Sequence, residues 1–466
     1  MSGAAVGSAR PAAAGRRAAV RRLSCLITLA WGCGDGAAGP DSEAFFEAFE
    51  EAGGDEATSP DTGPDGAEGT GDGATDDGAT GDGAADAVEP DPTCTTNGCL
   101  REVEEIGRYS KALVEAWLAP GVTIDNGYAV YSFRYWTDGA ECLGTATIPW
   151  GVEPPPGGWH VVSNEHGTSG VADACAVTGT VAGAGLAGLF GAHGMIGIAP
   201  DYPGLGTAGT HPYLVARSEG RSALDALRAA DRLAAHLGVP TSGRHAVVGL
   251  SQGGHAVLSA AAEHAAYAPE VEIRAFAASG PASVWEEQWR TGARVDGPHL
   301  VFHALLVWAW SAHYGWRGPT PWAAGLADRV DDVMESRCLV SATGGETLFD
   351  ALGESAAGIF APAFLAEYST GAWDVYAPFH DWFGRNRVAP FEQTAPLRIY
   401  QGDADDTVLE PHTRAMVEAL RAGGVEVEYE VVPGGGHTGV AFGFLAYPEL
   451  RTEESIAWIR EHLEAP

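Results

Sequence analysis

Residues 244–260 read RHAVVGLSQGGHAVLSA. The first half is an apolar, strand-like run and the second a small-residue, helix-like run, with Gly249, Ser251, Gly253 and Gly254 at the junction. A bare G-x-S-x-G match is common, so its context must give it meaning. In a sharp strand-to-helix turn, Gly249 and Gly253 remove side chains that would clash, and the Ser251 hydroxyl stands exposed. The backbone N–H of Gln252, at the start of the helix, then faces the place where an oxyanion would develop. The competing reading is a glycine-rich turn carrying a structural serine.

A serine hydroxyl is a weak nucleophile near neutral pH. It needs a base to take its proton, an acid to orient that base and donors for the oxyanion. His437, in PGGGHTG, sits on a loop expected after the last strand, where three glycines let the chain swing the imidazole over the sheet edge. GDADD offers Asp403, Asp405 and Asp406 after the preceding strand. Asp405 is the chosen acid, because its spacing from Gly402 to Val408 suits a turn at a strand end. Asp403 and Asp406 read as turn or helix-capping residues. The second oxyanion donor is expected on the loop after the third strand, in NEHGTSG, as the N–H of Thr168 with Gly167 as the alternative. His166 reads as structural. The order Ser–Asp–His is that of α/β-hydrolases.

Around this stretch, strands alternate with helices. YAVYSFRYW and CLGTATIPW form a leading β pair, followed by WHVVSNE, MIGIAP, RHAVVGL, VEIRAFAAS, PLRIYQG and VEVEYEVV, separated by helical segments. Such alternation implies a mostly parallel sheet covered on both faces, an α/β fold. The core is expected over 93–284 and 391–466. Between them, 285–390 lacks the alternation and is dense in Trp (Trp285, Trp289, Trp308, Trp310, Trp316, Trp322), which reads as a mainly helical cap insertion. Those tryptophans either build a second core or line an apolar substrate surface, and the two roles are compatible.

The chain of 466 residues has a formal net charge of -35. Residues 34–92 hold 18 Asp and Glu and no Lys or Arg, as in DGAEGTGDGATDDGATGDGAAD. That composition buries too little apolar surface to order itself and reads as a linker. The acidity and the lack of a basic patch exclude nucleic acid as a partner. Residues 1–33 run from arginines through the short apolar LSCLITLAW to Gly32 and Cys33, the pattern of a secretory signal. Cys33 after Gly32 resembles the lipidation site of bacterial lipoproteins, with Trp31 bulky where that motif prefers a small residue. A lipid there would anchor the protein to a membrane, and roughly 60 flexible residues would reach about 40–50 Å. The expected location is extracytoplasmic: a bacterial cell-envelope lipoprotein, otherwise a secreted protein.

Such a compartment makes disulfides plausible. Cys94 and Cys99 could close a small loop around TTNG, while Cys142, Cys175 and Cys338 leave their pairing open. His299 and His303 have helical spacing, but only apolar residues separate them, which points to packing rather than zinc; no metal or cofactor is expected.

HGTSGVADACA (166–176), APDYPGLG (199–206), HPYLVARSEGRSALDALRAA (211–230), GLSQGGH (249–255), GDADDTV (402–408) and GGGH (434–437) together resemble the secretory lipase branch, lipase A-like, of the α/β-hydrolase superfamily. The resemblance implies a carboxylic ester or lipid substrate, an acyl-enzyme, no metal, and a lid-like cap over an acyl pocket. It carries over Ser251, Asp405 and His437 as the triad and Gln252 with Thr168 as oxyanion donors. Asp201 is structural in this comparison. Alternatives are a peptidase, amidase or acyltransferase on the same triad, or a tethered binding protein without chemistry.

Overall fold

The computed structural model describes residues 89–118, 122–341, 344–438 and 452–466. The signal and Cys33, and nearly all of the acidic linker, lie outside the described residues.

Among the described residues nine strands form one sheet: β1 (Leu100–Tyr109), β2 (Gly127–Thr137), β3 (Ala140–Trp150), β4 (Trp159–Glu165), β5 (Ile196–Pro200), β6 (Thr241–Leu250), β7 (Glu272–Ser279), β8 (Leu397–Gly402) and β9 (Val427–Val432). Their spatial order is β1-β2-β3-β5-β4-β6-β7-β8-β9. The pairings from β1 to β5 are antiparallel and those from β5 through β9 are parallel. β2 and β3 meet in a two-residue hairpin at Asp138-Gly139, where both residues have positive φ (40° and 92°); Asp-Gly suits such a turn. β1 precedes the expected leading pair, so WHVVSNE is the fourth strand along the chain rather than the third. β1 went unread because its charged residues leave most of the strand partly or fully exposed at the sheet's edge.

The parallel strands are buried on both faces, and alternate residues serve different cores. In β6, Val247 joins the cluster with Ala223 and Leu227 of α3 (Ala216–His236), Val257 of α4 (Gln252–Tyr267) and Leu420 of α13 (Glu410–Ala422). Its neighbours Ala246 and Val248 join Leu189 and Phe190 of α2 (Val181–Gly191) with Ile456 and Ile459 of α14 (Thr452–Glu464). A short helix, α1 (Lys111–Trp117), adds Val114 to that second face. Between α3 and α4 the backbones nearly touch: a Cβ on Gly220 would come within 2.6 Å of the Ser259 carbonyl carbon.

Between β7 and β8 the chain leaves the sheet for eight helices: α5 (Glu286–Gly292), α6 (Leu300–His313), α7 (Ala324–Ala327), α8 (Val330–Ser336), α9 (Leu348–Leu352), α10 (Ala356–Ile359), α11 (Pro362–Thr370) and α12 (Ala377–Asn386). This mainly helical insertion has its own core, with Trp310, Phe360, Phe364 and Phe379 fully buried and Trp308 and Trp322 nearly so. Trp308, Trp310 and Trp322 are therefore packing residues, while Trp289 and Trp316 are only partly buried against that core. The insertion is fastened to the sheet domain by the Trp310 indole N–H donating to the Tyr213 carbonyl (3.0 Å) and by the Cys175–Cys338 disulfide. Cys94 and Cys99 form a second disulfide, and Cys142 is a buried free thiol.

β4 leads to β5 on one side, while β6 lies on its other side, so the sheet order reverses at β4. In open α/β sheets, the crevice beyond the strand C-termini at such a point is where ligands bind. Glu165 of β4 pairs with Gly249 of β6, and Leu250 of β6 pairs with Ser279 of β7, so these strand ends stand side by side.

Candidate active site

Ser251 occupies the single step between β6 and α4, with φ 60° and ψ -114°. A non-glycine residue held there costs about 1–3 kcal/mol and persists only where its surroundings enforce it. The Ser251 N–H donates to the Ser279 carbonyl at 2.9 Å, and the Ser251 carbonyl accepts from the N–H groups of His255 (3.0 Å) and Ala282 (3.1 Å). The flanking glycines are required by contact: a Cβ on Gly249 would lie 2.6 Å from the Gly253 carbonyl, and one on Gly253 would collide with the Glu165 carbonyl. Gln252 is the first residue of α4, so its N–H has no acceptor within the helix it begins.

The loops after β8 and β9 are laced together. The Ala404 N–H donates to the Gly435 carbonyl (3.1 Å), the Asp403 N–H to the Val432 carbonyl (3.2 Å), and the Gly434 N–H to Asp403 Oδ1 (2.6 Å). Any side chain on Gly402 would block the Gly435 carbonyl. These bonds bring His437 to Asp405, where Nδ1–H donates to Oδ2 at 2.8 Å. Asp405 is buried; Oδ2 also accepts from Gln401 Nε2 (2.9 Å), and Oδ1 accepts from the N–H groups of Thr407 (2.9 Å) and Val408 (2.8 Å). With Nδ1 protonated toward the carboxylate, a neutral His437 keeps Nε2 as its basic nitrogen. Asp403 and Asp406 serve turns only, since Leu409 is the residue that precedes α13.

Gly280 ties the two halves together. It follows Ser279, whose carbonyl holds Ser251, and has φ +47°. A Cβ here would lie 3.2 Å from His437 Nδ1 and 3.3 Å from Asp405 Oδ2. Serine and His–Asp pair therefore flank the same two residues at the end of β7. Nothing in the sequence singled out Gly280 beyond its place at the end of VEIRAFAASG.

The loop after β4 lies against the first turn of α4, since the same Cβ on Gly253 would come within 3.0 Å of the His166 carbonyl. Thr168 is fixed through its hydroxyl, 3.0 Å from the Tyr213 hydroxyl. His166 is buried; its Nδ1–H donates to the Gly167 carbonyl (2.7 Å), its ring packs on Tyr202, and Nε2 lies 3.5 Å from Asp201 Oδ1. Burial would lower the His166 pKa, but Asp201 and the Gly167 carbonyl outweigh it and leave it raised. Asp201 in turn accepts from the N–H groups of Val177 (2.7 Å) and Thr178 (3.0 Å), a structural role. Sequence reasoning missed Glu165, directly under the elbow. It is fully buried, accepts from the Ser163 hydroxyl (2.6 Å), and burial pushes its carboxyl up to about 8 despite that bond and His166.

A family model described as secretory lipase matches residues 183–300, and one described as prolyl oligopeptidase family matches residues 361–465. The fold is similar to that of the rice cell wall degrading esterase LipA from Xanthomonas oryzae, with TM-score 0.61 and 20% identity over 73% of this chain and 92% of that one. It is also similar to Candida antarctica lipase A in its closed state, with TM-score 0.58 and 17% identity over 81% of this chain and 87% of that one. No curated protein sequence matches the chain. The chain has the α/β-hydrolase fold and resembles the secretory lipases and esterases.

Proposed function

We propose that the protein is an exported carboxylic ester hydrolase working through an acyl-enzyme. The observation that carries the reading is Ser251 held at φ 60° in the elbow, with the His437–Asp405 pair packed against the neighbouring Gly280. His437 Nε2 takes the Ser251 proton as Oγ attacks the ester carbonyl. The N–H groups of Gln252 and Thr168 receive the oxyanion, and His437 returns the proton to the leaving alkoxide. Water then repeats the sequence on the acyl-enzyme. Asp405 holds the tautomer and stabilises the imidazolium. The Cys175–Cys338 disulfide and the secretory lipase match support an extracytoplasmic setting; lipidation at Cys33 would tether the enzyme to a membrane through the acidic linker.

Hydrolysis of p-nitrophenyl esters from short to long acyl chains, by wild type beside Ser251→Ala, tests this. Turnover should fall by at least about 10³-fold in the variant, and the chain-length optimum separates esterase from lipase. Turnover that persists in Ser251→Ala refutes the assignment. The match of residues 361–465, which hold Asp405 and His437, to the prolyl oligopeptidase family favours peptide hydrolysis as the second reading. Cleavage of a prolyl p-nitroanilide with no ester turnover would establish it instead.

A further inference from the structure

The donor assigned to Gln252 is a backbone group, yet its side chain is 1% exposed and bonded on two sides. Nε2 donates to His211 Nε2 at 2.9 Å and to Glu219 Oε1 at 2.8 Å. The protons follow from the neighbours. His211 Nδ1 faces the Pro203 carbonyl at 3.1 Å, which can only accept, so Nδ1 carries the proton and Nε2 accepts. Burial takes this imidazole down to about 3, which keeps it neutral.

Glu219 is fully buried. Its Oε1 also accepts the N–H of Leu214 (2.9 Å), a residue held at φ 54°, and Oε2 lies 2.6 Å from His255 Nδ1. The other nitrogen of buried His255 donates to the Asn386 carbonyl at 2.9 Å. Asn386 ends α12, the last helix of the insertion, and its Oδ1 accepts the Ala216 N–H at the start of α3 (3.2 Å). An unbroken polar line thus runs from the residue after the nucleophile to the end of the insertion. Burying such a line costs more than an apolar α3–α4 contact of the same volume.

We propose that Glu219 is a positioning residue: through Gln252 it aims the oxyanion-donating N–H, and through His255 it ties that aim to the seating of α12. The inference rests on the ester-hydrolase reading. An oxyanion donor acts only in the transition state, so loosening its anchor lowers kcat and leaves KM in place.

Gln252→Met keeps the backbone N–H and the side-chain volume and removes both side-chain bonds. Glu219→Gln preserves the geometry, because Oε1 still accepts from Gln252 and Leu214 and the new amide can donate to His255 Nδ1. Glu219→Ala removes it all. The readouts are kcat and KM on a p-nitrophenyl ester and inhibition by a trifluoromethyl ketone, whose serine adduct carries an oxyanion. Gln252→Met should lose about 10–100-fold in kcat with KM within about threefold, and bind the ketone correspondingly more weakly. Glu219→Ala should lose at least as much, and Glu219→Gln should recover most of it; if Glu219→Ala fails to fold, Gln252→Met decides. Folded Gln252→Met with wild-type kcat, or a change confined to KM, overturns the inference while Ser251-dependent turnover still stands. A wild type without ester turnover overturns the ester reading and this inference with it.

Discussion

Ser251 carries backbone strain that a serine in an ordinary turn has no reason to bear, and the bonds from Ser279, Ala282 and His255 enforce it. The His437–Asp405 pair proposed to activate it depends on one carboxylate, so Asp405→Asn should lower kcat by about 10³–10⁴-fold through loss of the His437 tautomer; a loss below tenfold in steady-state assays would remove Asp405 from that role. Glu165 makes a prediction of opposite kind, about stability. Its folded pKa, about 8, stands above the ordinary 4.5, so the folded protein keeps a proton that the unfolded chain gives up. The stability contributed is complete below about 4.5 and is lost as pH rises through about 8. At about 1.4 kcal/mol per unit, the effect amounts to a few kcal/mol. Glu165→Gln should therefore lose less stability than wild type between pH 5 and pH 9; chemical denaturation giving identical pH slopes would show that Glu165 does not titrate this way.

At the level of elements, the elbow glycines hold β6, α4 and the end of β4 together, and the Cys175–Cys338 disulfide ties the loop after β4 to the insertion. Gly253→Ala would drive a methyl into the Glu165 carbonyl, part β6 from β4 and abolish activity or folding; an active, equally stable variant would mean the elbow has room that the contacts deny. The Cys175–Cys338 bridge closes a loop of 163 residues, worth roughly 5 kcal/mol on a chain-entropy basis. It fastens the loop bearing Thr168 to the insertion, where the Leu339 N–H also donates to the Ser169 carbonyl (2.9 Å). Replacing both cysteines by alanine should lower Tm by several degrees; an unchanged melt would show that the bridge does not form. Elements buried on both faces were legible in the sequence, because apolar runs such as VVGL and IGIAP are too short for helices and end at glycine or proline turns. β1 was not legible, since LREVEEIGRY spends its charges on an open edge. Nor were Glu219 and His255: on a helix that is otherwise amphipathic, a glutamate looks like a solvated residue until the fold sets the His255 imidazole and the Gln252 amide against it.

Over the whole molecule, sequence order and spatial order diverge, and the candidate site is assembled from segments far apart in the chain. Ser251, Asp405 and His437 are spread over 186 positions, yet the parallel sheet brings the loops after β6, β8 and β9 to one edge, where they meet around Gly280 at the end of β7. Ordered motifs after successive strands made that edge readable; the path by which the insertion docks, through Asn386 and Tyr213, depended on contacts between distant segments with no local pattern. The proposed lipidation at Cys33 bears on the setting of the protein and not on the proposed chemistry. Metabolic labelling with a radioactive fatty acid should mark the full chain and not Cys33→Ser, while both hydrolyse soluble esters equally; an unlabelled wild type would leave secretion without an anchor. The most direct test of the central claim is to treat the full chain with a p-nitrophenyl phosphonate and locate the adduct by peptide mass spectrometry. The account predicts one phosphonylated residue, Ser251, with labelling slowed by at least about 10³-fold in His437→Ala. Folded protein left unmodified, or modified elsewhere with Ser251 untouched, would contradict it.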